Sequence, residues 1–214
     1  MDWKHTLKKT WHFIWEEDSL SSWIVNIILA FVIIKFIFYP VMGFTLGTTH
    51  PIVAVVSGSM EHGIVKDYGY VDGKFSWTGQ YYLCGNRYDE DMYVTFEVYW
   101  HECGKWYEDR NITKEQFMDF PFKNGFNKGD IIILVSKKNI NVGNVIVFWS
   151  GRQYPIIHRV VEIQNLSYKT KGDHNDAEDG FTSDKEVIGK ALFRIPYLGW
   201  VKIWFVDLIN IFRW

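Results

Sequence analysis

The chain has 214 residues, room for one ordinary domain plus attachments. A formal net charge of −2 removes any global basic signature for nucleic acid, and a mean hydropathy of −0.11 excludes a polytopic transporter while allowing one or two membrane segments. Aromatic residues make up 18% of the chain, with 11 Trp, a composition suited to a lipid–water interface.

Residues 1–20 place Lys4, Lys8 and Lys9 among Trp3, Trp11, Phe13, Ile14 and Trp15, the pattern of a short amphipathic helix lying on a membrane surface. From Trp23 to Val41 the sequence is apolar except for Asn26 and Lys35, close to the roughly 20 residues a spanning helix needs. Segment 21–44 is therefore predicted as a transmembrane helix, with Lys35 snorkelling to the nearer interface and Tyr39-Pro40 marking the exit. The run is too long for a cleaved signal peptide, and Lys35 and Pro40 stand where a small-residue cleavage site would be needed. Lysines precede the span, and after Lys35 none appears until Lys66. The N-terminus is accordingly expected in the cytoplasm and everything from about residue 45 outside.

Residues 45–195 read as one extracytoplasmic, mainly β domain with an elaboration at 61–128. Ile52 to Val56 has the composition of a short buried strand and leads into Ser57-Gly58-Ser59-Met60, where glycine permits a tight bend that exposes the neighbouring hydroxyls and amides. Within 61–128, the alternating run Met92 to Trp100 suggests a strand and Lys114 to Met118 one turn of helix. Cys84 and Cys103 fall in this region; a disulfide and two free thiols are both open readings. Beyond it, turns at Asn127–Asp130 and Asn141–Asn144 precede apolar runs at 131–135 and 145–149. Further strands are expected at 154–163 and 187–193. In segment 196–214, Lys202, Asp207, Asn210 and Arg213 fall on one side of a helix and Tyr197, Trp200, Trp204, Leu208 and Ile211 on the other. That periodicity favours an interfacial helix over a second span.

The β domain thus holds a serine on a bend, His158 within Ile156–Val161, and acidic residues at Asp173, Asp176 and Asp179. A serine hydroxyl needs a base to become a nucleophile, and the base needs an acceptor on its second nitrogen. Each residue has a plainer reading: turn chemistry for the serines, a core histidine bonded to a carbonyl, and loop formers or a weak Ca²⁺ site for the acids. No histidine pair has strong metal spacing, and the reading calls for no metal and no cofactor.

Taken in order, the apolar span, Ser57-Gly58-Ser59-Met60, Lys128-Gly129-Asp130-Ile131, Ile157-His158-Arg159-Val160, and Lys171-Gly172-Asp173-His174-Asn175 with Asp179 resemble type I signal peptidases. The likeness is to the archaeal and endoplasmic-reticulum branch, in which histidine stands where the bacterial branch has lysine. It extends over residues 20–60 and 125–200. It implies a signal-peptidase-like coiled β-sheet peptidase domain with an N-terminal transmembrane helix and a C-terminal apolar helix. It implies Ser59 as nucleophile, His158 as general base and Asp179 as its partner. Asp173 supports the site by hydrogen bonding, the reverse assignment of the two aspartates being left open, and the Ser59 amide and Ser57 hydroxyl supply the oxyanion hole. Strand Ile52, Val53, Ala54, Val55 and Val56 is the expected edge for an extended substrate.

The activity implied is removal of N-terminal signal peptides from preproteins after small residues, at the outer face of a cell or endoplasmic-reticulum membrane. The implied partners are preprotein signal peptides and membrane lipid, with accessory subunits left open and no nucleic acid. The chain departs from the family pattern at His62, where proline is frequent, at His174, where asparagine is usual, and in the length of the segment between Met60 and Gly129. The competing class is a non-catalytic, membrane-anchored β binding or assembly protein that uses the aromatic-rich 61–128 region.

Overall fold

A computed structural model describes residues 3–152 and 154–211, with backbone alone at 205–207 and 209–211. The expectations for Asp207, Asn210 and Arg213 as a polar side of the last helix fall outside the described side chains. The chain divides into two compact units, residues 1–47 and 48–214.

In the first unit, α1 (Trp3–Trp15) carries Trp3, Leu7, Trp11 and Trp15 on one exposed stripe, each a helical turn from the last. The apolar run then forms α2 (Leu20–Ile33), a π-helical turn (Ile34–Phe38) and α3 (Tyr39–Leu46). Together they make one helical segment, Leu20–Leu46, of 27 residues and mean hydropathy 2.4, long and apolar enough to cross a membrane. The widened turn stands directly before Pro40, with the Tyr39 N–H reaching back to the Ile34 carbonyl. Gly47, at φ 66°, closes the segment in the left-handed conformation that glycine adopts without penalty.

The two polar residues early in this apolar run have a local use. A helix leaves its last carbonyls without partners. Ser22 Oγ donates to the Phe13 carbonyl (2.6 Å) and Asn26 Nδ2 to that of Ile14 (2.9 Å), so α2 caps the end of α1.

The second unit is mainly β. A seven-stranded antiparallel sheet has the order β1 (Ile52–Ala54), β5 (Ile131–Val135), β10 (Val187–Ile195), β6 (Val145–Phe148), β7 (Ile156–Gln164), β8 (Ser167–Lys171), β9 (Phe181–Ser183). Its register pairs Ile52 with Ile133 and Ile146 with His158, and register shifts interrupt the β10 ladders and the β7–β8 ladder. Such bulges bend a sheet and raise its twist. Val55, Met60, Phe126, Ile132, Leu134 and Val147 are buried in one apolar cluster.

Segment 61–128 folds as a small sheet, β2 (Val65–Val71), β3 (Lys74–Leu83) and β4 (Asn86–Tyr88), followed by α4 (Phe96–Glu108) and α5 (Lys114–Met118). The strand expected over Met92–Trp100 is not one: residues 91–95 are irregular and α4 starts at Phe96. Thr95 caps it by accepting from the Val98 N–H. Beyond Thr95 the apolar spacing changes from two to three and four, so Tyr99, Trp100, Cys103 and Tyr107 are buried on one helical face. The disulfide Cys84–Cys103 ties the end of β3 to α4. The last helix, α6 (Trp200–Ile211), follows Tyr197.

Candidate active site

Ser59 sits between two anchors. Val55 and Met60 are both buried in the apolar cluster, and the four residues between them have to arch outward. A turn closes that arch, with the Glu61 N–H donating to the Gly58 carbonyl (3.0 Å). Val55 continues the β1 ladder, its N–H donating to Asp130 O (2.9 Å) and its carbonyl accepting from Gly129 N–H (2.9 Å).

His158 lies on β7, four strand positions from β1. In a flat sheet that separation would be about 19 Å. The curl of the sheet reduces it to contact: Ser59 Oγ lies 3.0 Å from His158 Nε2. On the other side of the ring, His158 Nδ1 is 2.5 Å from Asp179 Oδ2. The same carboxylate oxygen accepts from Thr170 Oγ1 (2.7 Å), and the Asp179 N–H donates to the Thr170 carbonyl (2.7 Å). Burial opposes ionisation of Asp179, but the hydrogen bond and charge of His158, with the Thr170 hydroxyl, hold its pKa below the usual value. An ionised carboxylate only accepts, so Nδ1 carries a ring proton, and in the neutral ring Nε2 is then the acceptor that faces the serine hydroxyl. Ser57 Oγ is exposed and lies 3.3 Å from Ser59 Oγ.

Asp173, six residues earlier in the chain, has a different set of partners. It is wholly buried and paired with Arg159, Nε to Oδ1 at 2.8 Å and Nη2 to Oδ2 at 2.6 Å. Tyr107 Oη donates to Oδ1 (3.0 Å) and His62 Nε2 to Oδ2 (2.9 Å). Burial alone would raise the Asp173 pKa; the Arg159 guanidinium and the His62 hydrogen bond override it and hold the carboxyl far below its ordinary range. Arg159 spends its remaining donors on the carbonyls of Pro121 (2.7 Å), Gly143 (2.9 Å) and Phe122 (2.9 Å), so the buried guanidinium is fully satisfied. Burial pushes His62 below its usual value, and its ring stacks on Tyr99 with centroids 3.7 Å apart. Burial likewise brings Lys171 down to about 8 and His174 down to about 4.

A cleft of about 410 Å³ borders the serine, with Val53, Ala54 and Val56 on the β1 side and Tyr154, Ile156 and Ile157 on the β7 side. Ser57, Ser59 and His158 also line it. The Val55 side chain is in the core and Ile52 is half-buried outside this lining. Among the described residues β1 is laddered on one side only. Residues of an antiparallel strand point their backbone groups alternately to either side. Val53 and Val55 turn theirs to β5 and the 129–130 turn, so those of Ala54 and Val56 face the open edge.

Sequence reasoning missed Thr170 and Gly172. Thr170 has a weak signal, the strand alternation Tyr168, Thr170 that sets it on one face of β8. Gly172 is a matter of space. A methyl there would stand 2.7 Å from Ser59 O and 2.8 Å from His158 Nε2, closer than real Cβ contacts come. Gly172→Ala is expected to displace Ser59 from His158 Nε2, and an unchanged Ser59–His158 contact in a structure of the variant would refute this.

No known family model matches the chain. It is similar to the signal peptidase complex catalytic subunit SEC11C of Homo sapiens, 32% identical over 94 residues, which are 36% of this chain and 49% of that protein. The Canis lupus familiaris protein of the same name gives the same figures. The signal peptidase complex catalytic subunit SEC11 of Saccharomyces cerevisiae (strain YJM789) is 34% identical over 95 residues, 37% of this chain and 57% of that protein. The chain spans about half the length of the curated relatives it matches. In sequence the chain is therefore similar to proteins named as catalytic subunits of the signal peptidase complex, and it has an N-terminal apolar helix in one unit and a mainly β fold in the other.

Proposed function

We propose that this chain is a membrane-anchored serine endopeptidase that removes N-terminal signal peptides from exported preproteins. The carrying observation is the hydrogen-bonded series Ser59 Oγ, His158 Nε2, His158 Nδ1, Asp179 Oδ2, beside the open edge of β1. Similarity to proteins named as signal peptidase catalytic subunits supports the same reading.

In this mechanism an extended preprotein segment pairs with the open edge at Ala54 and Val56, and the cleft on either side admits small side chains. Ser59 Oγ attacks the scissile carbonyl while His158 Nε2 takes its proton. The oxyanion is received by the Ser59 amide and the Ser57 hydroxyl. His158, its charge balanced by Asp179, returns the proton to the leaving amine. Water then enters, gives a proton to Nε2, and releases the signal peptide as a carboxylate with Ser59 regenerated. Residues 21–44, within helix Leu20–Leu46, span the membrane, with residues 1–20 in the cytoplasm and 45–195 outside. Substrate and enzyme then share one plane, which shortens the search. The relatives are named as subunits of a complex, and accessory subunits are proposed here on that ground.

The test is cleavage of a purified preprotein by the full chain in detergent, with the products weighed by mass spectrometry. Cutting after a small residue at the signal boundary is expected. Asp179→Asn, which leaves the shape but favours the wrong imidazole tautomer, is expected to reduce kcat by about 10⁴-fold. His158→Lys is not expected to restore activity. Undiminished cleavage by Asp179→Asn would remove Asp179 from the mechanism, and no cleavage by wild type with its accessory subunits would favour the non-catalytic binding protein.

A further inference from the structure

Segment 61–128 has no part in that chemistry, yet it grips one stretch of the site, residues 171–175, at several points. Tyr99 Oη donates to the Asp173 carbonyl (3.0 Å) and Tyr107 Oη to Asp173 Oδ1 (3.0 Å), both from wholly buried positions on α4. Lys171 Nζ donates to the carbonyls of Gly172 (3.0 Å) and Asp173 (3.4 Å). It lies 5.0 Å and 4.9 Å from the ring centroids of Trp106 and Tyr107, also on α4. The Cys84 N–H donates to the His174 carbonyl (3.1 Å), and Cys84 is bonded to Cys103 of α4.

The opposite side of the same stretch meets the serine and the histidine. The His174 N–H donates to the Ser59 carbonyl (2.9 Å), and His174 Nδ1 lies 3.2 Å from the Glu61 carbonyl. Gly172 is close enough to both Ser59 O and His158 Nε2 that neither tolerates an added methyl. Residues 172–180 lie outside any strand, so no ladder holds them and contacts from elsewhere must fix their position. Aromatic rings of segment 61–128 also meet two histidines beside this stretch: His62, itself in the segment, stacks on Tyr99, and the His174 ring lies 5.4 Å from that of Tyr82.

We propose that α4 and its disulfide are a positioning element of the active site, in which Cys84, Tyr99 and Tyr107 hold residues 171–175 and these in turn hold Ser59 against His158. The inference rests on the reading of Ser59 and His158 as the catalytic pair. None of the three touches substrate; each acts through the backbone or side chain of the loop. Removing the hydroxyls leaves the rings in place and the loop free to shift, and a shift of an ångström at the nucleophile is a large kinetic effect.

The experiment uses the full chain in detergent with a preprotein substrate. One arm is the double variant Tyr99→Phe/Tyr107→Phe, and a second is folded wild type before and after reduction and reoxidation of Cys84–Cys103. Each is read by kcat, by KM, and by amide hydrogen exchange followed by mass spectrometry. Expected are a fall in kcat of about 10- to 100-fold with KM within about twofold, faster exchange at 171–176 with β5 and β6 unchanged, and recovery of kcat on reoxidation. Unchanged kcat in both arms would overturn the proposal. So would a rise in KM alone, which puts α4 in substrate binding, or faster exchange throughout the sheet, which makes its role one of general stability. If the double variant does not fold, the reduction arm decides. Wild type that cuts nothing even with its accessory subunits sinks the catalytic reading itself, whereas active wild type with equally active variants sinks this inference alone.

Discussion

Ser59→Ala is expected to lower preprotein turnover by about 10⁶-fold, the scale on which loss of one member of a coupled serine–histidine–acid set removes nearly the whole contribution of the set. In the proposed mechanism the hydroxyl is the attacking atom, and it lies 3.0 Å from His158 Nε2. Folding should be little affected. The Ser59 side chain is half-exposed, and the turn around it is held by backbone bonds at Gly58, Ser59 O and Met60 O that alanine retains. Single-turnover cleavage and a thermal melt check both halves. Cutting at wild-type rate would show that another group is the nucleophile, and a lost melting transition would show that the hydroxyl is structural.

Asp173→Ala should have the opposite profile, a loss of fold before any loss of chemistry. It leaves the Arg159 guanidinium fully buried with its carboxylate gone, and strips the acceptor from Tyr107 and His62. Breaking one side of a buried ion pair costs about 3–5 kcal/mol, a large share of the roughly 5–15 kcal/mol that a domain has. A urea titration measures it, and a midpoint within error of wild type would refute the assignment. The pH dependence has a definite sign. The folded pKa of Asp173 lies below its unfolded value, so its contribution is fully present above the unfolded value of about 4. That contribution is lost progressively as pH falls below it. Stability of wild type should therefore decline through the acid range, and the Asp173→Ala variant should show less of that slope.

The contrast between Asp173 and Asp179 bears on what a sequence can tell. Both lie in a polar loop, and the motif order alone left their roles exchangeable. What separates them is which way each side chain turns, toward Arg159, Tyr107 and His62 or toward His158 and Thr170, and that depends on partners far off in the chain. The sheet was more legible, because Ile131–Val135 and Val145–Phe148 are apolar runs bracketed by Gly and Asn turns, a local signal. Segment 61–128 was not. Its β2–β3 hairpin turns on Asp72-Gly73, both at positive φ, a turn signature present in the sequence. The strands beside it carry exposed aromatics in place of a clean apolar alternation. At Met92–Trp100 an alternating run ended at a capping threonine, and tertiary burial of Tyr99 and Trp100 favoured the helix. The Cys84–Cys103 bond needed knowledge of where α4 packs.

The curl of the large sheet also sets an order in time. Ser59 and His158 are 99 positions apart, and His158 and Asp179 a further 21. A chain made from its N-terminus presents the serine long before the histidine exists, and closing so long a loop carries an entropic cost that local pairing does not. Until β7 has docked against β6 and brought its imidazole over the bend, Ser59 is an ordinary surface hydroxyl with no base beside it. In the proposed mechanism, therefore, the nucleophile and its base meet only once the later strands of the sheet are in place.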